Sequence, residues 1–222
     1  MAGEPCRIVV FASGNGSNFQ ALIDAVSAGH IPKSRIVRLY VNRAKAFATT
    51  RADRAGIPWE YFNLIQGGFL AKAEKDSKAV AAAREKYDAA LAQKVLTEEE
   101  RRPDLVVLAG WMHVFSGAFL APLEKAGVII INLHPALPGA FDGAGAIERA
   151  YEAFKAGTLT KTGIMVHYVI EAVDRGDPIM VQEIEWQGEG LAQLEERIHA
   201  HEHELLVKAT AKVVGDILGK ES

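Results

Sequence analysis

Residues 128–131 read Val-Ile-Ile-Ile, and the run changes character abruptly at Asn132. Four consecutive apolar residues offer no face to water, so they predict a strand covered on both sides, as in sheets flanked by helices. Ile-Val-Val-Phe at 8–11 and Leu-Val-Val-Leu-Ala at 105–109 are of the same kind. The chain is therefore expected to build an α/β fold around a central sheet. Side chains alternate along a strand, so Asn132 and His134 share one face while Leu133 returns to the core. Pro135 and Pro138 stop the strand, and Gly139 and Gly143 mark a loop able to pass close to a ligand. In open α/β sheets ligands bind beyond the carboxyl ends of the strands. The stretch 128–143 is the expected working centre, although an Asn or His at a strand end is more often a turn former than a catalyst.

The strand at 7–12 runs into Ser13-Gly14-Asn15-Gly16-Ser17-Asn18 and then a helix from about 19 to 27. A glycine turn feeding a helix start is a natural anion site, because the first helical N–H groups have no partners within the helix. The same pattern also serves as a plain tight turn. As a dinucleotide fingerprint it fits poorly: Phe19 stands where a third glycine belongs, and no acidic residue closes the second strand at 36–41. A mononucleotide or sugar phosphate suits it better.

Further elements follow from period and punctuation: a helix over 47–55 closed by Gly56, a short strand at 59–62, and a long alanine-rich helix over 72–96 carrying Arg84. After the strand at 105–109, Gly110-Trp111-Met112-His113-Val114-Phe115 supplies aromatic and Met side chains for a flat pocket or for ordinary core, and Ser116 is the expected cap of a helix to 125. A helix over 146–155 stops at Gly157. Strands at 163–170 and 178–184, joined by the turn Val173-Asp174-Arg175-Gly176-Asp177, are expected to be antiparallel. A long helix over 191–218 covers the sheet.

At 222 residues the chain is long enough to bury about 70% of its unfolded surface in one domain, 1–222, without a metal or disulfide staple. A net charge of −3 argues against a general nucleic-acid or anionic-membrane binder. One cysteine, Cys6, no leader pattern at 1–7 and no apolar run of about 20 residues suggest a cytoplasmic protein. His199, Glu202 and His203 lack the HExxH spacing and a thiol, so no metal is expected. His167, alternating within a strand, reads as a packed residue near the site.

Four motifs taken together resemble one family: Ser13-Gly14-Asn15-Gly16-Ser17-Asn18, Leu108-Ala109-Gly110-Trp111-Met112, Asn132-Leu133-His134-Pro135, and Val173-Asp174-Arg175-Gly176-Asp177-Pro178. In this order they are similar to the phosphoribosylglycinamide formyltransferases, and Leu-His-Pro-Ala-Leu-Pro-Gly-Ala-Phe-Asp-Gly is similar to the fungal branch. The resemblance implies a Rossmann-like formyltransferase fold, with a mostly parallel central sheet, an antiparallel C-terminal strand pair and flanking helices. It implies transfer of a formyl group from 10-formyltetrahydrofolate, the co-substrate, to the amine of 5'-phosphoribosylglycinamide in purine synthesis, through a tetrahedral intermediate and without a metal.

Carried over by motif, Asn132, His134 and Asp174 are the catalytic residues, and Gly16, Ser17 and Asn18 hold the substrate phosphate. His199 and Glu202 contact the glycinamide. Arg84, Met112, His113, Val114, Phe115, Asn132, Ile170, Glu171, Ala172, Val173 and Asp174 line the folate site. The loop after His134-Pro135 is shorter than in bacterial members, so contacts at 141–146 do not transfer. The expected chemistry has Asn132 and a protonated His134 donating to the formyl oxygen, with Asp174 raising the imidazole's proton affinity or relaying the amine proton. A formyltetrahydrofolate hydrolase, a tRNA formyltransferase lacking its usual added basic domain, or an inactive phosphate-ligand binding domain are the competing readings.

Overall fold

The computed structural model describes residues 4–97 and 102–220. The leading residues 1–3, on which part of the no-leader reading falls, lie outside it. Seven strands form one sheet: β1 (Cys6–Ala12), β2 (Ser34–Val41), β3 (Trp59–Tyr61), β4 (Leu105–Leu108), β5 (Ile129–His134), β6 (Lys161–Tyr168) and β7 (Pro178–Glu185). Their order is β3-β2-β1-β4-β5-β6-β7. The first five run parallel, and β6 pairs antiparallel with both β5 and β7. The mostly parallel sheet with an antiparallel C-terminal pair is thus the observed architecture.

Alternation along β1 shows how the sheet is covered. Ile8, Val10 and Ala12 belong to one buried cluster with Leu194, Ile198, Leu206 and Val213 of the helix α6 (Leu191–Lys220). Val9 and Phe11 face the other cluster, with Tyr87 and Leu91 of α3 (Ser77–Thr97) and Phe119 and Leu123 of α4 (Gly117–Lys125). Period two in the strand therefore feeds two helical layers, which is why the central runs are apolar throughout. The helices α1 (Ser17–Ser27) and α5 (Ala146–Lys155) pack with α6, while α2 (Ala48–Ala55) lies beside α1.

Several boundaries differ from the sequence expectation by one to five residues, and three of them show what sets an element's end. The helix expected from 72 begins at Ser77, because Asp76 accepts from the Ala79 N–H at 2.8 Å and caps it, while Glu74 accepts from the N–H groups of Lys75 and Asp76. The helix expected from 19 begins two residues earlier, at Ser17. The sixth strand stops at Tyr168 rather than 170, where the Tyr168 N–H turns to the Asp177 carbonyl and Val169 N–H to that of Ile130.

Candidate active site

The sheet order reverses direction between β1 and β4, leaving a crevice beyond their carboxyl ends. The loops after β1, β4 and β5 meet there. The Ser13 N–H donates to the Gly110 carbonyl at 3.0 Å, and Ser13 Oγ accepts from the Met112 N–H at 2.9 Å, which locks the glycine turn to the aromatic segment. A cavity of about 400 Å³ opens over these loops.

At one end lies the start of α1. Gly16 sits at φ 75°, and a Cβ there would lie 2.7 Å from Ala48 Cβ, so both the left-handed backbone and the closeness of α2 require glycine. Gln20 N–H bonds the Gly16 carbonyl at 2.9 Å, leaving the N–H groups of Ser17, Asn18 and Phe19 ahead of the first intrahelical bond. Ser17 and Asn18 are thus first-turn residues rather than caps. Ser17 and Asn18 line the cavity, while Gly16 stands behind them.

The Asn18 amide donates to Glu202 Oε2 at 3.1 Å. Glu202 is 5% exposed, and burial raises its carboxyl above the usual range against the opposing pull of Asn18 and His199. Sequence reasoning missed Arg51, which grips the back of the turn through Asn15 O at 3.0 Å and Asn15 Oδ1 at 2.9 Å. No motif contains it; it arrives from α2, 36 residues along the chain.

The other end of the cavity is apolar. Met112 and Val114 are 59% and 51% exposed there, and Ile170 and Val173 face them across the cavity. Phe115 lines the wall from behind, stacked on Phe119 at 3.7 Å within the core. His113 also lines the cavity, but its Nε2 is 2.6 Å from Asp88 Oδ1. The fully buried Asp88 carboxylate also accepts from Ser116 N–H and Ser116 Oγ, each at 2.7 Å. The Ser116 hydroxyl, expected to cap α4, is therefore spent on Asp88 instead. Arg84 does not line the cavity; its Nη2 reaches the Val114 carbonyl at 3.4 Å. Glu171 and Ala172 are exposed and also lie off the cavity wall.

A polar cluster lines the same cavity. Asn132 Nδ2 donates to Asp174 Oδ1 at 3.3 Å, and His134 Nδ1 lies 3.4 Å from Asp174 Oδ2. Asp174 adopts φ 54°, unusual outside glycine, and the Gly143 N–H donates to its Oδ2 at 2.8 Å. Gly176, two residues on, packs against Tyr168 so closely that a Cβ would fall 1.7 Å from the Tyr168 carbonyl oxygen. His167, opposite Asn132 across the β5–β6 ladder, completes the group. Its Nδ1 donates to the Tyr168 carbonyl at 2.8 Å, and its Nε2 lies 3.2 Å from Asn132 Nδ2 and 3.4 Å from Asp174 Oδ1.

Burial is the largest influence on both ionisable centres. It pushes the Asp174 carboxyl up, but the hydrogen bonds from His167 and Gly143 and the nearby imidazoles outweigh it, so the carboxyl ends below its ordinary value. For His134 burial wins: its proton affinity falls below the ordinary value although Asp174 and the Phe141 carbonyl pull the other way. Burial therefore works against the protonated resting His134 expected from the sequence. Its Nε2 lies 3.2 Å from the Phe141 carbonyl, so both ring nitrogens face acceptors and a neutral ring can satisfy only one.

Among the described residues, no group of three or more His, Cys, Asp or Glu side chains is placed to hold a metal ion, and no helix is long and apolar enough to cross a membrane.

Residues 6–210 match the family model described as formyl transferase. A phosphoribosylglycinamide formyltransferase of Schizosaccharomyces pombe is 46% identical over 211 residues, covering 94% of this chain and 97% of that protein. The one from Saccharomyces cerevisiae is 42% identical over 213 residues, with the same coverage of 94% and 97%. The crystal structure of glycinamide ribonucleotide transformylase 1 from Geobacillus kaustophilus superimposes with a TM-score of 0.75 at 34% identity, covering 95% of this chain and 99% of that one. The chain is alike over nearly its whole length to these enzymes and belongs to the formyl transferase family, in its phosphoribosylglycinamide formyltransferase branch.

Proposed function

We propose that the whole chain works as one domain that transfers the formyl group of 10-formyltetrahydrofolate to the amine of 5'-phosphoribosylglycinamide, a step of purine synthesis. The observation that carries this reading is that Asn132, His134 and Asp174 line one cavity together with the first residues of α1 and a set of apolar side chains. The unpaired N–H groups at Ser17 and Asn18 take the phosphate. His199 and Glu202 lie on the way to the glycinamide, and Met112, Val114, Phe115, Ile170 and Val173 pack on the pterin. His113 acts through Asp88 by fixing that wall. Arg84, outside the cavity, supports the segment through the Val114 carbonyl.

In the reaction the amine nitrogen attacks the formyl carbon, negative charge grows on the formyl oxygen, and the bond from carbon to the folate nitrogen then breaks. Asn132 is the donor for that oxygen; removing one such donor typically costs about 10²–10³ in turnover. A neutral imidazole keeps one nitrogen able to accept, so His134 accepts the proton the amine releases and returns it to the departing nitrogen. Asp174, already ionised, holds His134 in place and stabilises the imidazolium while it lasts. The depressed carboxyl makes Asp174 a weak base, which favours this supporting part over a relay.

A buried cysteine thiol at Cys6 suits a reducing, cytoplasmic setting. The test is to follow tetrahydrofolate release from 10-formyltetrahydrofolate with and without 5'-phosphoribosylglycinamide. Release that requires the amine supports the transferase. Release without it points to a hydrolase, and binding without release to an inactive phosphate-ligand domain.

A further inference from the structure

Arg149 of α5 gathers the carbonyls of the loop between β5 and α5. Its Nη2 donates to the carbonyls of Phe141 at 2.6 Å, Asp142 at 2.8 Å and Gly143 at 3.5 Å, and its Nε to that of Gly145 at 3.2 Å. The guanidinium also lies 5.7 Å from the Phe141 ring centre. Phe141, Gly143 and Gly145 have φ of 51°, 80° and 68°, and these alternate left-handed residues belong to the turn whose carbonyls converge on one cation. A second tie joins the loop to the Asp174 turn, where Arg175 Nη2 meets Asp142 Oδ2 at 2.6 Å.

What this loop presents to the site is backbone. Its Gly143 N–H bonds Asp174 Oδ2 at 2.8 Å, and its Phe141 carbonyl faces His134 Nε2 at 3.2 Å. The Phe141 carbonyl thus lies between His134 and Arg149.

The geometry points to Arg149 as a positioning residue for formyl transfer, acting through the loop backbone on His134 and Asp174 without touching substrate. This rests on the reading of the site as the transfer centre. The charged and titratable groups facing His134 are Asp174, Asp142 and His167, with Arg149 and Arg175 behind the loop. Removing Arg149 withdraws a positive charge from beyond the shared carbonyl and lets water reach the imidazole. Both changes raise the proton affinity of His134, whereas a Phe141 carbonyl that moves away with the freed loop lowers it, so the imidazole titration must shift when the loop does.

The experiment compares the full chain with Arg149→Met, which keeps the apolar stem, and Arg149→Lys, which keeps the charge and a donor. Formyl-transfer kinetics are read across pH, with NMR titration of His134 and thermal unfolding alongside. Arg149→Met is expected to lower kcat about 10–100-fold, as for a displacement of about 1 Å. KM for the phosphorylated amine should stay nearly unchanged, while the acid limb of the rate profile and the His134 titration should move together. Arg149→Lys should fall between Met and the native residue. Unchanged kcat, or a rate loss with an unmoved His134 titration, overturns the proposal. A wild-type chain that transfers no formyl group refutes the reading of the site, while the NMR titration still decides whether Arg149 sets His134.

Discussion

Replacing Gly176 with alanine tests the cluster without altering any polar group in it. The added Cβ would sit 1.7 Å from the Tyr168 carbonyl oxygen and 2.8 Å from its carbon, both backbone atoms at the end of β6. An ordinary contact is about 3.4 Å or more, so the turn and the strand end must separate by about 1.7 Å. Asp174 rides on that turn, and the carbonyl to be displaced is the one that holds His167 Nδ1. Hydrogen bonds of 3.3 Å from Asn132 and 2.8 Å from Gly143 do not survive a shift of that size. A misplacement of about 1 Å costs roughly 10² in rate, so Gly176→Ala should lower kcat at least about 100-fold. Overpacking should cost about 1–3 kcal/mol of stability. Steady-state formyl-transfer kinetics with thermal unfolding measure both. Near-native turnover in a folded Gly176→Ala protein would show that the placement of Asp174 does not matter to the reaction.

Glu202→Gln should raise the unfolding temperature near neutral pH, since a buried carboxyl with raised proton affinity is stabilising below its ordinary value and costs free energy once ionised. The same variant should bind the phosphorylated amine less well, read as a higher KM in the transfer assay. Asp88→Asn leaves a single acceptor oxygen for donors from Ser116 and His113, and should cost about 3 kcal/mol, or roughly 6–12 °C, with KM for the formyl donor rising. His134 and His203 both have lowered proton affinity. The unfolded chain therefore takes up protons first, and stability should begin to fall as pH drops through about 6.5. The Asp174 contribution, present above its ordinary value, should be lost only below pH 3.8, as its carboxylate protonates in the folded state. Thermal unfolding from pH 8 to pH 3 reads both windows.

Contiguous motifs made much of this architecture legible. The apolar runs at 8–11, 105–108 and 129–131 are strands because no face of them is polar, and the glycine turn and the Asp174 turn carry their geometry in their own residues. The helix starting at Ser77 was misplaced because residues 72–76 have good helical composition, and only the Asp76 cap decides the boundary. Asp88, Arg51 and Arg149 lie in helices where a charged residue ordinarily faces water, and nothing local marks them. Each becomes part of the site only when a loop from elsewhere arrives: Ser116, Asn15 or the 141–145 turn. The pull of burial on His134 is hidden from the sequence for a related reason. A neighbouring carboxylate can be inferred from motifs, but the burial that outweighs it comes from packing around the whole cavity.

The most direct test is the single-turnover rate of formyl transfer by His134→Ala, with folding verified by thermal unfolding. A proton-accepting imidazole contributes about 10²–10⁴, so the rate should fall by at least about 100-fold while binding of both substrates persists. A rate within about twofold of the native protein would remove His134 from the chemistry and contradict the account built on it.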